Sequence, residues 1–218
     1  MHWTISRLKD YESCPKKHEY KSVLRVPEPG PKSPALQRGI DWHADIERFL
    51  LGQQDHLTIP LSTAWQREIY TLRKLQAQSE QMWEFDADWH PYTHNAEHPL
   101  WLRMKLDANY RRRRRESMHV IDFKTGKCYP ADRDQIEVYA LGTFGLHDDV
   151  EEVLGSLWYL DGGEPLDRTI KRQEAPKLAR KWEGRAQRLL DAKTFPANPS
   201  KRTCGWCPFK AICPEAAA

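Results

Sequence analysis

The stretch His119-Val120-Ile121-Asp122-Phe123-Lys124-Thr125-Gly126 decides how this chain reads. It is a short apolar strand candidate ended by Thr125-Gly126. In an extended strand alternate side chains leave opposite faces. Ile121 and Phe123 therefore point towards a core, while Asp122 and Lys124 share the other face. Upstream, Leu100, Leu102, Met104, Leu106, Ala108 and Tyr110 alternate in the same way, with Asp107 on the face opposite to them. Paired, the two strands bring Asp107 and Asp122 to one polar face with Lys124 beside them. Two carboxylates suit a hard divalent cation such as Mg²⁺ or Mn²⁺, and a lysine next to them can orient a water and offset growing negative charge. Such a trio suits cleavage of a phosphodiester without a covalent intermediate. An Asp-x-Lys pair alone also occurs on solvated strand faces, so the weight rests on the shared face.

Outward from this strand, the pattern predicts helices over 6–12 (capped by Ser6), 36–51 and 62–82. The helix over 36–51 carries Leu36, Ile40, Ala44 and Leu51 as its apolar stripe. Strands follow over 83–89 and 100–110. Beyond the Asp-x-Lys strand come a helix over 132–145 entered after Pro130, strands over 153–160 and 166–170, and a basic helix over 174–192. Residues 27–34 hold four prolines and a glycine and read as a loop. This order predicts an α/β fold with a central mixed sheet flanked by helices, in a single domain over 1–218. No glycine-rich phosphate loop or dinucleotide fingerprint is present, which disfavours a nucleotide hydrolase.

A composition with 39% hydrophobic and 30% charged residues fits a folded protein. The absence of any long apolar run predicts no membrane span, and Met1-His2-Trp3-Thr4 lacks a secretory pattern. A cytoplasmic location is expected, where disulfides are rare. The net charge of +3 is unevenly distributed. Arg111 to Arg115 are consecutive arginines, and residues 168–202 hold 11 Lys/Arg against 3 Asp/Glu. Both suggest contact with a nucleic-acid backbone, although short basic runs also sit on solvated turns.

Three further polar residues can join the site. His43 lies close to the apolar stripe of its helix, where a packed histidine is the bland reading. Gln135 and Tyr139 are four apart on the helix after the Asp-x-Lys strand, so they can face one cleft. Their bland reading is a helix-surface pair.

The cysteines form a separate pattern. Cys204-x2-Cys207-x5-Cys213 resembles a metal-ligand spacing, and Cys14, in a similar Cys-Pro context, is the natural fourth thiolate. Zn²⁺ and [4Fe–4S] both accept four thiolates. One remote cysteine with a group of three suits iron–sulfur better than zinc. The expectation is a staple formed by residue 14 and the 204–213 tail, joining the two ends of the chain. Cys128 reads as a free thiol or a minor alternative ligand.

At these residues the chain resembles the RecB-like branch of the PD-(D/E)XK nucleases, above all the Cas4 group and the cluster-bearing nuclease domain of the AddB subunit. The resemblance rests on Ser6, Leu8, Tyr11, Cys14 and Pro15, with Tyr20 beyond. It continues through Gly39 and His43, then Asp107, then Asp122, Lys124, Thr125 and Gly126. Gln135 and Tyr139 follow, and Cys204, Cys207 and Cys213 complete it. It spans essentially the whole chain in order. It implies a restriction-endonuclease-like core, with His43, Asp107, Asp122 and the Phe123 carbonyl as ligands of Mg²⁺ or Mn²⁺. It implies Lys124 as the catalytic lysine, with Gln135 and Tyr139 completing the catalytic motif. It also implies a [4Fe–4S] cluster and DNA exonuclease activity, often on single strands or free ends, in recombination, repair, phage DNA processing or CRISPR adaptation. Met104 stands where the family usually has glycine, and the arginine run lies outside the family signature. Helicase motifs are absent, so a helicase, recombination or CRISPR-adaptation protein is expected only as a separate partner. Cleavage polarity, strand preference and oligomeric state are not set by these residues.

Two other readings compete. One is a non-catalytic nucleic-acid-binding protein with a structural zinc or iron–sulfur site. The other is a nuclease active only within a larger complex.

Overall fold

In the computed structural model the Asp-x-Lys segment is β3 (Ser117–Lys124), the middle strand of a five-stranded sheet. The structure describes residues 2–94, 97–112, 116–129 and 132–217. The sheet runs in chain order: β1 (Gln78–Phe85), β2 (Leu102–Arg111), β3, β4 (Glu152–Tyr159) and β5 (Leu166–Lys171). Among the described residues, only β3 and β4 pair in parallel. The other neighbours are antiparallel, so the sheet is mixed as expected. A parallel pair needs a crossover, supplied here by α5 (Arg133–Leu146). The helix entry expected after Pro130 falls on residues 130 and 131, outside the described ones.

The chain divides into two compact units, Met1–Pro31 with Lys181–Ala218, and Lys32–Arg180. In the second unit, α3 (Pro34–Leu50) and α4 (Thr63–Lys74) cover one face of the sheet. Trp42, Ile46 and Phe49 of α3, with Trp65, Ile69 and Leu72 of α4, pack on Ala108, Ile121, Phe123 and Trp158. The i, i+4, i+7 spacing of Trp42, Ile46 and Phe49 makes them the buried stripe. The stripe read from the sequence is turned outward at Leu36, Ile40 and Leu51, which are exposed.

Several boundaries differ from expectation. Thr4 rather than Ser6 caps α1 (Ile5–Ser13), its Oγ1 accepting the Arg7 N–H at 3.1 Å. Pro15 starts a further short helix, α2 (Pro15–His18), at a position where the missing N–H is not needed. The helix expected to reach residue 82 stops at Lys74, and Gln76 turns the chain at φ 54°. β1 therefore begins at Gln78, ahead of the expected Trp83. It ends at Phe85, because Trp89 lies in a turn at φ 63°.

The first unit corrects the iron–sulfur staple. Cys14, Cys204, Cys207 and Cys213 do line one small cavity. However, among the described residues no three cysteine sulfurs lie within 4.8 Å of one another, and the metal-ligating groups that converge are His, Asp and Glu. The sulfurs of Cys14 and Cys204 accept backbone N–H groups of Asn198 and Ala217 at 3.4 and 3.3 Å. Burial pushes the Cys207 thiol pKa up. Cys128 is exposed.

The tail has other means of order. Trp3 stacks on Trp182 of α6 (Ala175–Leu190) at 6.1 Å, and Phe209 is fully buried against Tyr20. Arg185 pairs with Glu12 at 2.6 Å, and the Asn198 side chain donates to the Ser13 carbonyl at 3.1 Å. Ser200 caps α7 (Lys201–Gly205). Aromatic packing and polar contacts thus hold the segment that the cysteines were expected to hold. The spacing of cysteines in sequence does not fix how closely their sulfurs approach.

Candidate active site

Asp107 and Asp122 reach one face because of the β2–β3 register. The ladder pairs Ala108 with Ile121 and Asn109 with Val120. Continuing it by one step sets Asp107 opposite Asp122. There the strands part, and the Asp107 carboxylate fills the gap, its Oδ2 accepting the Phe123 N–H at 2.7 Å. The Lys124 carbonyl accepts from Leu160 on the β4 side. Alternation therefore directs the Phe123 carbonyl, one residue earlier, towards β2 and Asp107.

α3 brings His43 to the same place. Its Nδ1 lies 3.3 Å from Asp107 Oδ1, and its ring meets Phe123 edge-on at 6.1 Å. Gly39, one turn earlier, permits this approach: a Cβ there would stand 3.0 Å from Thr125 Oγ1. The Gly-x-x-x-His spacing thus has a packing correlate, since a side chain at 39 would press on the Thr125 hydroxyl at the end of β3.

Glu80 completes a group that the sequence reading missed. One ligand atom each from His43, Glu80 and Asp107 lies within 4.8 Å of the others. Glu80 sits on β1 with a left-handed φ of 55°, between the ladder pairs Ser79–Ala108 and Gln81–Leu106, and is ion-paired to Lys105. Strained non-glycine backbone of this kind collects at functional sites. Asp122 is not in that trio. Its Oδ2 stands 2.5 Å from Lys124 Nζ and accepts no well-aligned hydrogen bond.

α5 closes the other side. Gln135 Nε2 donates to Asp122 Oδ1 at 2.7 Å, and Tyr139 Oη donates to the same oxygen at 2.6 Å. Lys124 Nζ donates to Gln135 Oε1 at 3.2 Å. The expected Gln135/Tyr139 pair is therefore buried and aimed at Asp122, rather than lying on the helix surface. Met104, the departure from the family glycine, is accommodated on this helix. Its methyl lies where a Cβ on Gly142 would be, 2.8 Å away.

These contacts set the charges. Burial and then the Asp122 charge push Asp107 up, opposed by His43 and the Phe123 N–H. For His43, burial is the largest influence and pulls it down, but the contact with Asp107 and the Asp122 charge outweigh it and leave it raised. Burial likewise opposes the charge on Lys124, and Asp122 and Asp107 reverse that, so it stays an ammonium. Burial and Asp122 push Tyr139 far up, so it remains a hydrogen-bond donor. The result is a concentration of buried negative charge that a cation would relieve. Oxygen and imidazole donors suit a divalent metal ion.

The site opens into a cleft of about 720 Å³ lined by Leu36, Ile40, His43, Glu47, Lys105, Asp107 and Thr125. The outward-facing Leu36 and Ile40 form its apolar wall. Of the arginine run, Arg111 is paired with Asp149 at 2.8 Å and Arg112 lies 3.6 Å from Glu152. Residues 113–115 lie outside the described ones. Among the described residues, no helix is long and apolar enough to cross a membrane.

Comparison with known proteins agrees with this architecture. A solved structure designated SSO0001 is 16% identical, with a TM-score of 0.52, covering 97% of this chain and 86% of its own. A candidate exonuclease from Eubacterium rectale is 15% identical, with a TM-score of 0.48, covering 90% and 84%. At these identities the first likeness is one of fold alone, and the second is weaker still. Curated proteins give no match. The resemblance to the cluster-bearing, Cas4-like branch is corrected by the same finding as the staple, since the converging ligands are His, Asp and Glu rather than Cys. The model for the PD-(D/E)XK nuclease superfamily, in contrast, matches residues 2–214, through both compact units, and the chain belongs to that superfamily.

Proposed function

We propose that the chain is a Mg²⁺- or Mn²⁺-dependent DNA exonuclease, acting on single strands or free DNA ends. The observation that carries this reading is the convergence of His43, Glu80 and the buried Asp107 beside the Asp122–Lys124 pair. The cation would be held by His43, Glu80 and Asp107, with Asp122 and the Phe123 carbonyl adjoining. When bound, it supplies Lewis acidity to a phosphate oxygen and favours ionisation of water.

The chain's own groups do the rest. Tyr139 and Gln135 hold Asp122 Oδ1, leaving Oδ2 and the Lys124 ammonium facing each other at the site. Lys124 donates hydrogen bonds to the attacking water and to the phosphate as negative charge grows. His43 fixes Asp107 from α3, and the Phe123 N–H fixes its other oxygen. The cleft beside Leu36 and Ile40 receives the strand. The family match through both units supports reading 1–218 as one nuclease domain.

Linear and circular single-stranded DNA test this directly in the presence of Mg²⁺ or Mn²⁺. Degradation of the linear form with the circle left intact is expected. Equal cutting of the circle would replace exonuclease by endonuclease. Binding without cleavage under either cation would favour a non-catalytic nucleic-acid-binding role.

A further inference from the structure

A second group of ligating side chains lies beyond the far end of β1. Asp86 follows Phe85, and its carboxylate is buried, with side-chain exposure of 9%. Oδ1 is fully engaged, accepting the N–H groups of Asp88 and His90 at 3.0 and 2.9 Å. Among the described residues, Oδ2 accepts no hydrogen bond. Instead it faces two imidazoles, with His90 Nδ1 and His98 Nδ1 each 3.7 Å away. The Asp88 carboxylate joins them, and the ligand atoms of Asp86, Asp88 and His98 lie within 4.8 Å of one another.

The distances distinguish two uses of this cluster. A hydrogen bond brings N and O to about 2.7–3.2 Å. Two ligands on one tetrahedral zinc, each about 2.0–2.1 Å from it, stand roughly 3.4 Å apart. The 3.7 Å spacing is too long for the first and close to the second. Oδ2 therefore keeps a lone-pair face turned towards the two imidazoles, where a cation shared between them would sit. The surrounding chain also holds Asp86 in place without a metal. Trp89 is buried against Trp101 at 5.4 Å, and the Asp86 N–H donates to the His90 carbonyl at 3.0 Å.

We propose that Asp86, Asp88 and His98, with His90 alongside, form a binding site for Zn²⁺ or a similar first-row transition cation, separate from the active site. Two imidazoles, His90 and His98, face one carboxylate oxygen here, against the single imidazole of the active site, and the added nitrogen donor favours this class over Mg²⁺. Six residues along a strand span about 20 Å, so the site stands well apart from Glu80. Its role is structural: it ties Asp88 and His98 to Asp86 at the end of β1.

The test uses the full chain and Zn²⁺ alone. Asp88 and His98 are exposed, so Asp88→Asn and His98→Ala leave the core untouched. Zinc retained after dialysis is counted by mass spectrometry, and affinity is measured by calorimetry. The wild type should hold one more equivalent than either variant, or bind the same equivalent at least about tenfold more tightly. The active site contributes equally to all three proteins and cancels. Equal zinc content and affinity in all three would overturn the site. Displacement of that equivalent by an equal concentration of Mg²⁺ would overturn the transition-metal assignment.

Discussion

Asp107 Oδ2 accepts the Phe123 N–H at 2.7 Å, replacing the next rung of the β2–β3 ladder with a carboxylate. The acid proposed to hold the metal is thereby part of the sheet's own hydrogen bonding, and its position follows from strand register. Asp107→Asn should keep the fold but lose roughly a thousandfold in cleavage rate. Circular dichroism and single-turnover rates on the same preparation separate the two effects.

Tyr139 and Gln135 both donate to Asp122 Oδ1. Tyr139→Phe removes one of the two donors to Asp122 Oδ1 and leaves the ring in place. A fall in kcat of about tenfold to a hundredfold is expected, with a smaller change in KM. A change confined to KM would place Tyr139 on the substrate instead.

Glu80 should show opposed effects on stability and function. Its φ of 55° costs on the order of 1 kcal/mol for a residue of this type, and asparagine tolerates that region better. Glu80→Asn should leave stability equal or slightly higher in chemical denaturation while weakening Mn²⁺ binding and cleavage. Unchanged Mn²⁺ affinity would remove Glu80 from the ligand set.

His119 predicts a pH effect on stability. It is buried between Ser156 Oγ at 2.7 Å and Tyr110 Oη at 3.0 Å, and burial lowers its pKa to about 4. The unfolded chain takes up this proton near pH 6.5, the folded chain only near 4. Stability is therefore full above about pH 6.5 and falls as pH drops towards 4, by about 3 kcal/mol at most. His119→Gln should flatten this part of a denaturation-versus-pH curve. An identical slope in the variant would assign the loss to other groups.

The sequence made the central trio legible because strand alternation is strict: Asp107, Asp122 and Lys124 fall on one face wherever β2 and β3 pair. Glu80 was hidden for a local reason. Apolar residues continue at helical spacing past Leu72 and Leu75, while the chain leaves the helix at Gln76, a left-handed residue without the usual glycine. Trp89 continued the alternation of Trp83 and Phe85, yet the backbone N–H bonds to Asp86 turn the chain before it. Leu36 and Ile40 looked like core because hydrophobicity does not distinguish a buried stripe from the wall of a cleft. The cysteine spacing showed which residues share a region, but not how closely their sulfurs approach.

The most direct test of the account is the Mn²⁺ dependence of single-stranded DNA cleavage by the wild type beside Asp122→Asn and Lys124→Ala. Cleavage should rise with Mn²⁺, stop on chelation, and be lost in both variants while their folds persist. Undiminished Mn²⁺-dependent cleavage in both variants would contradict it.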